Sequence, residues 1–385
     1  MRISSLKVFT IGTPWRNYIF VKLYTDEGLT GVGEATLGVA DETMIAYLEG
    51  AARRHIIGSD PFNIEDLCLR MFRDDFWRGG IFSNSGISAV EIACWDIVGK
   101  ACGQPIYKLL GGACRDRIKA YANGWYKVER KPEEFARAVE QVLAKGYRAL
   151  KLDPFGAGTY ELDRKEKLLS ISLVEAVRAA AGEDVEIMIE GHGRFSPVTA
   201  IELARELEPF KPTWFEEPVP PDNIQALSKV AGKINIPIAA GERSLTRYGF
   251  RELLETGAVD IIQPDLIHAG GILEVKKIAA MADSYYVTVA PHNSQGPICT
   301  AASVHLDACI TNFKIQECFD DFEQPYLREA VPGAFRVEDG YFKLPERSGL
   351  GVDINEEVIA EHPPKAMHFN LFRSGWEKRE STLLE

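Results

Sequence analysis

A chain of 385 residues exceeds one ordinary domain of roughly 100–200 residues, although a barrel can use about 250 as one. Its 46% hydrophobic and 26% charged residues exclude disorder and collagen-like repeats. With 44 basic and 56 acidic residues the net charge is −12. That balance argues against nucleic acid as a partner and repels acidic substrates unless a local cation inverts the field.

The first 35 residues read as β. Tyr18–Tyr24 is strand-like, Asp26-Glu27-Gly28 supplies a turn, and Leu29–Ala35 returns. Gly31-Val32-Gly33 has neither a following lysine nor a helix start, so a hairpin fits it better than a phosphate loop. Residues 40–110 turn helical, and Ser88–Lys100 sets Val90, Ala93, Cys94 and Ile97 on one face. Gly111-Gly112 then breaks the chain, and a domain boundary is expected just beyond it.

From about residue 117 short apolar runs alternate with amphipathic helices. One such helix starts at Pro132, repeats Phe135, Val139, Val142 and Leu143, and stops at Gly146; another starts at Ser196-Pro197. The runs end at or near Leu152, Glu190, Glu216, Glu242, Asp265, His292 and Glu317, with a further candidate strand at Ile118–Tyr121. Glu190, Glu216 and Glu242 are 26 residues apart twice, and the next three follow at 23, 27 and 25. A unit of that length is one strand plus one helix, and eight units fit a closed (β/α)₈ barrel better than an open sheet, whose switch points break such a series.

In such a barrel the strand ends converge. Three converging glutamates repel one another unless a hard cation sits between them, and oxygen-only ligation suits Mg²⁺ over zinc. The competing reading is three solvated loop acids, but surface acids have no reason to hold one register three times. His192, two residues past Glu190 in Glu190-Gly191-His192-Gly193-Arg194, is read as functional because of that neighbour. Asp265 and His292 end successive strands, where an aspartate fixes a histidine's tautomer and raises its basicity. Glu317 ends the last strand and could donate a proton if its pKa is raised. Lys151 and Asp153 close the second strand, either as an ion pair of structural use or as part of the site. His268, His305, His362 and His368 have no comparable setting and read as structural.

The seven cysteines are odd in number and scattered, with no C-x-x-C, which points to reduced thiols and excludes zinc fingers. No stretch approaches the ~20 apolar residues of a membrane span, and Met1–Lys7 lacks a signal-peptide core. A cytoplasmic protein with no membrane partner is the expectation.

These residues carry a resemblance. Phe76–Gly80, Trp95–Lys100, Tyr121–Tyr126, Glu190–Phe195, Phe215–Pro218, Ala240–Arg243, Gln263–Leu266 and Ala290–Asn293 resemble the enolase superfamily, mandelate racemase subgroup, and within it the gluconate and galactonate type of acid-sugar dehydratase. The resemblance implies an α/β fold: a modified (β/α)₇β TIM barrel at 117–345, an N-terminal α+β capping domain at 1–116, and a C-terminal segment, 346–385, returning to the cap. Loops around Thr13–Arg16 and Phe76–Arg78 are implied to close over substrate. One Mg²⁺ is implied on Glu190, Glu216 and Glu242, with Glu217 not a ligand. Two departures stand out: the first ligand is often Asp, and the second strand often carries Lys-x-Lys where this chain has Lys151 and Asp153.

The reaction so implied is dehydration of an aldonate such as gluconate or galactonate to a 2-keto-3-deoxy acid. His292, oriented by Asp265, takes the C2 proton; His192 gives one to the departing 3-hydroxyl; Glu317 hydrogen-bonds the substrate carboxylate. Lys151, Asp153, Arg194 and Trp15 are the expected substrate contacts. A homo-oligomer is also implied. Epimerisation or cycloisomerisation of an acid sugar or its lactone is the nearest alternative, and a non-catalytic sugar-acid binding barrel is the alternative from another class.

Overall fold

The structure, a computed structural model, describes residues 1–368, 370–380 and 382–383. Strands β1 (Ile3–Gly12), β2 (Asn17–Thr25) and β3 (Thr30–Glu34) form an antiparallel sheet in that order. Against it pack α1 (Asp41–Ala51), α2 (Ile64–Arg73) and α3 (Ile81–Ala101). Helix α3 starts well before the expected Ser88, and it is buried on more than one face. Val90, Ala93, Cys94 and Ile97 join the core under the sheet, while Ser85, Ser88 and Glu91 are buried as well. A Cβ on Gly31 or Gly33 would come within 2.0 Å of the Ala93 or Ala89 carbonyl oxygen. The glycine pair therefore lets β3 lie directly on the α3 backbone.

After the short α4 (Ile106–Leu109), Gly111 and Gly112, at φ 118 and 89, lead into a ring of parallel strands. These are β4 (Arg117–Ala122), β5 (Ala149–Leu152), β6 (Glu186–Glu190), β7 (Trp214–Glu216), β8 (Ile238–Ala240), β9 (Ile261–Ile262), β10 (Thr288–Val289) and β11 (Gln316–Cys318). They pair in chain order, β11 pairs β4, and a bridge from Val289 to Phe313 closes the circle. Between them run α5 (Pro132–Ala144), α6 (Arg164–Ala181), α7 (Pro197–Leu207), α8 (Ile224–Ala231), α9 (Thr246–Glu255), α10 (Leu266–Ala269), α11 (Ile272–Asp283) and α12 (Pro297–Cys309). Ser196 caps α7 by accepting from the Thr199 amide, as its sequence suggests. The fold is the (β/α)₇β barrel with an N-terminal α+β domain.

Inside the ring, Tyr121, Ala149, Met188, Trp214, Ala239, Ile261, Ala290 and Ile315 form a buried cluster of their own. Each strand, or the residue beside it, gives one member, so the cluster is a plug and the barrel is not a pore. Beyond the ring, β12 (Tyr341–Lys343) pairs antiparallel with β4. The chain then returns to the cap, where the Leu350 amide donates to Asp96 and Asp353 pairs with Lys22 at 2.8 Å. The seven cysteines are unpaired. Among the described residues no helix is long and apolar enough to cross a membrane.

Two buried glutamates of the first domain plug helix starts in the barrel. Glu34 accepts from the Gly296 and Cys299 amides at the start of α12. Glu91 accepts from Ile272 and Leu273 at the start of α11, both at 2.8 Å. Each satisfies amides that have no partner within their own helix, and each carboxylate meets the positive end of a helix dipole.

Candidate active site

Successive residues of a strand point to opposite faces, so the residue two places beyond each plug member faces inward again, one layer higher. Those eight residues are Asn123, Lys151, Glu190, Glu216, Gly241, Gln263, His292 and Glu317. The strand period thus gathers the glutamates, the lysine and one histidine at the C-terminal rim of one ring. Glu242 and Asp265 lie one and two residues further along.

Carboxylate oxygens of Glu190, Glu216 and Glu242 lie within 4.8 Å of one another. Lys151 sits beneath, its Nζ 2.6 Å from Glu216, 3.0 Å from Glu317 and 3.5 Å from Glu190. One ammonium cannot balance this much buried negative charge. Burial and the neighbouring Glu216 push Glu190 well above the usual carboxylate range. An all-oxygen donor set short of positive charge fits a hard divalent cation. Glu217 turns away at φ 37 and pairs with Arg243 at 2.5 Å.

Three histidines, His192, His268 and His292, line the cavity above, which has a volume of about 460 Å³. His292 shares its Nδ1 proton with Asp265 Oδ2 at 2.8 Å, and its Nε2 is 3.4 Å from Glu242. Asp265 also accepts from Gln295 Nε2 at 3.0 Å and from the Ile267 amide at 2.9 Å, both neutral donors. Burial alone lowers the pKa of His292, but Glu242, Glu317 and Asp265 outweigh it and raise it to about 10; a cation held by Glu242 would cancel that glutamate's share and favour a neutral ring. His192 sits in left-handed backbone at φ 48, a strained position for a non-glycine, and its amide donates to Glu190. Its Nδ1 is 2.5 Å from Asp153 Oδ2.

The expected substrate contacts divide. Trp15 lines the cavity, and its indole N–H donates to Glu323. Lys151 reaches the cavity wall, but its ammonium is committed to three carboxylates. Asp153 and Arg194 are buried behind His192 and are not among the residues that line the cavity. Arg194 Nη2 is 2.6 Å from each Asp153 oxygen, and its other nitrogens bond the Gly156 and Gly191 carbonyls. Burial raises the Asp153 pKa, yet Arg194 and His192 outweigh it and hold the carboxyl below its usual range.

Glu317 is bonded from three sides. It lies in the middle of β11 and accepts from Asn123 Nδ2 at 2.6 Å, Lys151 at 3.0 Å and the Asn293 amide at 2.7 Å. Phe76 and Trp77 stand in solvent, 84% and 91% exposed, away from the cavity that the 13–16 loop lines.

His268 is not merely structural, because it lines the cavity and joins Ser85 at 2.8 Å to Gln295 at 3.1 Å. His305 is a core residue between the Tyr107 amide and the Leu350 carbonyl, and His362 stacks on Tyr326. The His368 side chain lies outside the described residues. Sequence reasoning missed Arg16, Asn123, Gln295, Trp376 and Arg379. Asn123 alone carried a signal, its place two residues beyond Tyr121 in the strand period.

Residues 6–111 match the N-terminal domain family of mandelate racemase and muconate lactonizing enzyme, and residues 134–358 match the enolase C-terminal domain-like family. The chain is 36% identical over 370 residues to a D-gluconate/D-galactonate dehydratase of Picrophilus torridus, covering 93% of each chain. It is 37% identical over 374 residues to a D-galactonate dehydratase of Ralstonia pickettii, covering 95% of each. Among solved structures, a mandelate racemase/muconate lactonizing enzyme-like protein of a Roseovarius species superposes with a TM-score of 0.89 at 38% identity, over 94% of this chain and 96% of that one. A mandelate racemase/muconate lactonizing enzyme of a Sulfitobacter species gives 0.89 at 36%, over 94% and 96%.

Proposed function

Since the chain belongs to the mandelate racemase and muconate lactonizing enzyme family of the enolase superfamily, we propose that it dehydrates a sugar acid to a 2-keto-3-deoxy acid. The names of its relatives support gluconate and galactonate as first substrates to try. The observation that carries the reading is the pair of aspartate-anchored histidines in one cavity with the glutamate cluster.

Glu190, Glu216 and Glu242 would hold Mg²⁺, whose chemistry is to take up the negative charge that grows on the substrate carboxylate as the C2 proton leaves. His292 removes that proton at Nε2. Asp265 holds the ring through Nδ1 and faces the imidazolium with its charge, while Gln295 Nε2 and the Ile267 amide also donate to it and His268 Nε2 lies 3.9 Å away. His192 gives a proton from Nε2 to the 3-hydroxyl as the C–O bond breaks. Asp153 orients the His192 ring through Nδ1 and is itself held by Arg194. The enol left behind tautomerises to the keto acid.

A second reading has its own support. Asp153 gives His192 the same kind of anchor as His292 has, and two opposed bases suit epimerisation at C2. NMR of the product formed in D₂O separates the two. A keto acid with deuterium at C3 supports dehydration, whereas a product with every hydroxyl kept and deuterium at C2 overturns it.

A further inference from the structure

The cavity has a second charged end that the proton transfers do not use. Arg379, in left-handed backbone at φ 54, is 7% exposed and lines the same cavity as His192 and His292. Its guanidinium lies over three rings, 4.3 Å from Phe319, 5.2 Å from Trp15 and 5.5 Å from Tyr126. Its Nη1 is buried with no hydrogen-bond partner, and among the described residues no carboxylate pairs with the group. Arg16 lies over Trp15 and Phe319 too, at 4.4 and 5.7 Å, with Nε buried and unpartnered.

The carboxylate nearby is already occupied. Glu323 accepts from Trp15 and from the Tyr18 hydroxyl and pairs with Lys127 at 3.2 Å. This end therefore has more positive charge than its own anion balances. It also lies opposite the glutamates. Tyr126 follows β4 and Phe319 follows β11, the first and eighth strands, while Glu216 and Glu242 belong to the fourth and fifth. In a closed ring of eight those pairs face each other across the mouth.

A buried guanidinium with an unsatisfied N–H loses its hydration without compensation. Stacking on rings recovers part of that loss, but not the missing acceptor. A neutral terminal hydroxymethyl group supplies one weak acceptor, whereas a carboxylate or phosphate supplies charge and two or more oxygens in the guanidinium's own geometry. We propose that the end of the substrate remote from the glutamates carries a second anion, and that Arg379 binds it. The substrate is then a sugar diacid, or a sugar acid phosphorylated at its last carbon. This rests on the sugar-acid reading for the chemistry and names the group at the far end.

The test compares acids of matched configuration: gluconate, glucarate and 6-phosphogluconate, then galactonate and galactarate. With Mg²⁺ present, kcat/KM should favour a doubly anionic member of a set over its aldonate. Arg379→Gln should lower that preference by about 10- to 100-fold, the worth of a charge-assisted hydrogen bond, and Arg379→Lys should restore part of it. Glucarate against 6-phosphogluconate tells carboxylate from phosphate. The same acids are titrated by calorimetry into the His292→Asn protein, with and without Arg379→Gln, so the contrast is also read without turnover. Equal binding of singly and doubly anionic members, or a preference that Arg379→Gln leaves unchanged, overturns the proposal. Turnover of aldonates alone overturns it and leaves dehydration standing. Tight diacid binding with no water lost from any acid supports it and overturns dehydration.

Discussion

His192 and Asp153 meet at 2.5 Å through Nδ1 and Oδ2, and Arg194 holds the same carboxylate at 2.6 Å from behind. The bond leaves His192 Nε2 as the only ring nitrogen for the cavity. Asp153→Asn should therefore impair departure of the 3-hydroxyl, by about 10²–10⁴ in rate if general-acid catalysis is lost. Exchange of the C2 proton with D₂O should continue. NMR of substrate and product in D₂O reads both steps, and loss of both together refutes the separation of roles.

The histidines themselves should divide in the same way. His292→Asn is expected to stop C2 exchange and dehydration alike, by about 10²–10⁴. His192→Asn is expected to stop dehydration while exchange runs on. The opposite pattern means that the acid and the base are exchanged.

Chelation should abolish activity, and added Mg²⁺ should restore it. Cation binding also stabilises the folded chain, by about 2.7 kcal/mol at a hundredfold excess over Kd. Glu216→Gln should lose both the activity and the Mg²⁺-dependent rise in Tm while remaining folded. A Tm in the variant that still climbs with Mg²⁺ counts against this ligand set.

Glu91 makes the contact between the two domains sensitive to pH. Burial raises its pKa to about 8, although the Leu273 and Ile272 amides and Trp95 pull it down. With the folded value above the unfolded 4.5, its contribution is fully present below pH 4.5 and is lost as pH rises toward 8. Glu91→Gln cannot ionise. Its unfolding free energy relative to the native chain, read by denaturant titration, should rise between pH 4.5 and 8, at no more than about 1.4 kcal/mol per pH unit. A difference that is flat over this range refutes the account.

The barrel was legible because short buried strands need apolar runs, and each must be followed by a helix of similar length. That repeat put Glu190, Glu216 and Glu242 in register without any coordinates. It also made His292 and Asp265 neighbours. Helix α3 was read only in part, because a helix packed on two sides buries Ser85, Ser88 and Glu91, which a one-faced pattern assigns to solvent.

The sequence by itself determined which residues stand at strand ends, because strand alternation and helix length are local properties of the chain. Only the tertiary structure decided what each of those residues touches. Asp153 and Arg194 looked like substrate contacts, but the close approach of β5 and the loop after β6 turns both toward His192. On Glu317, Asn123, Lys151 and the Asn293 amide converge from three separate segments. Trp376 and Arg379 lie beyond the last barrel strand, where no period marks them, and reach the cavity only because the chain returns over the barrel mouth. Contacts between segments far apart in sequence depend on how the ring closes, and no local pattern encodes that closure.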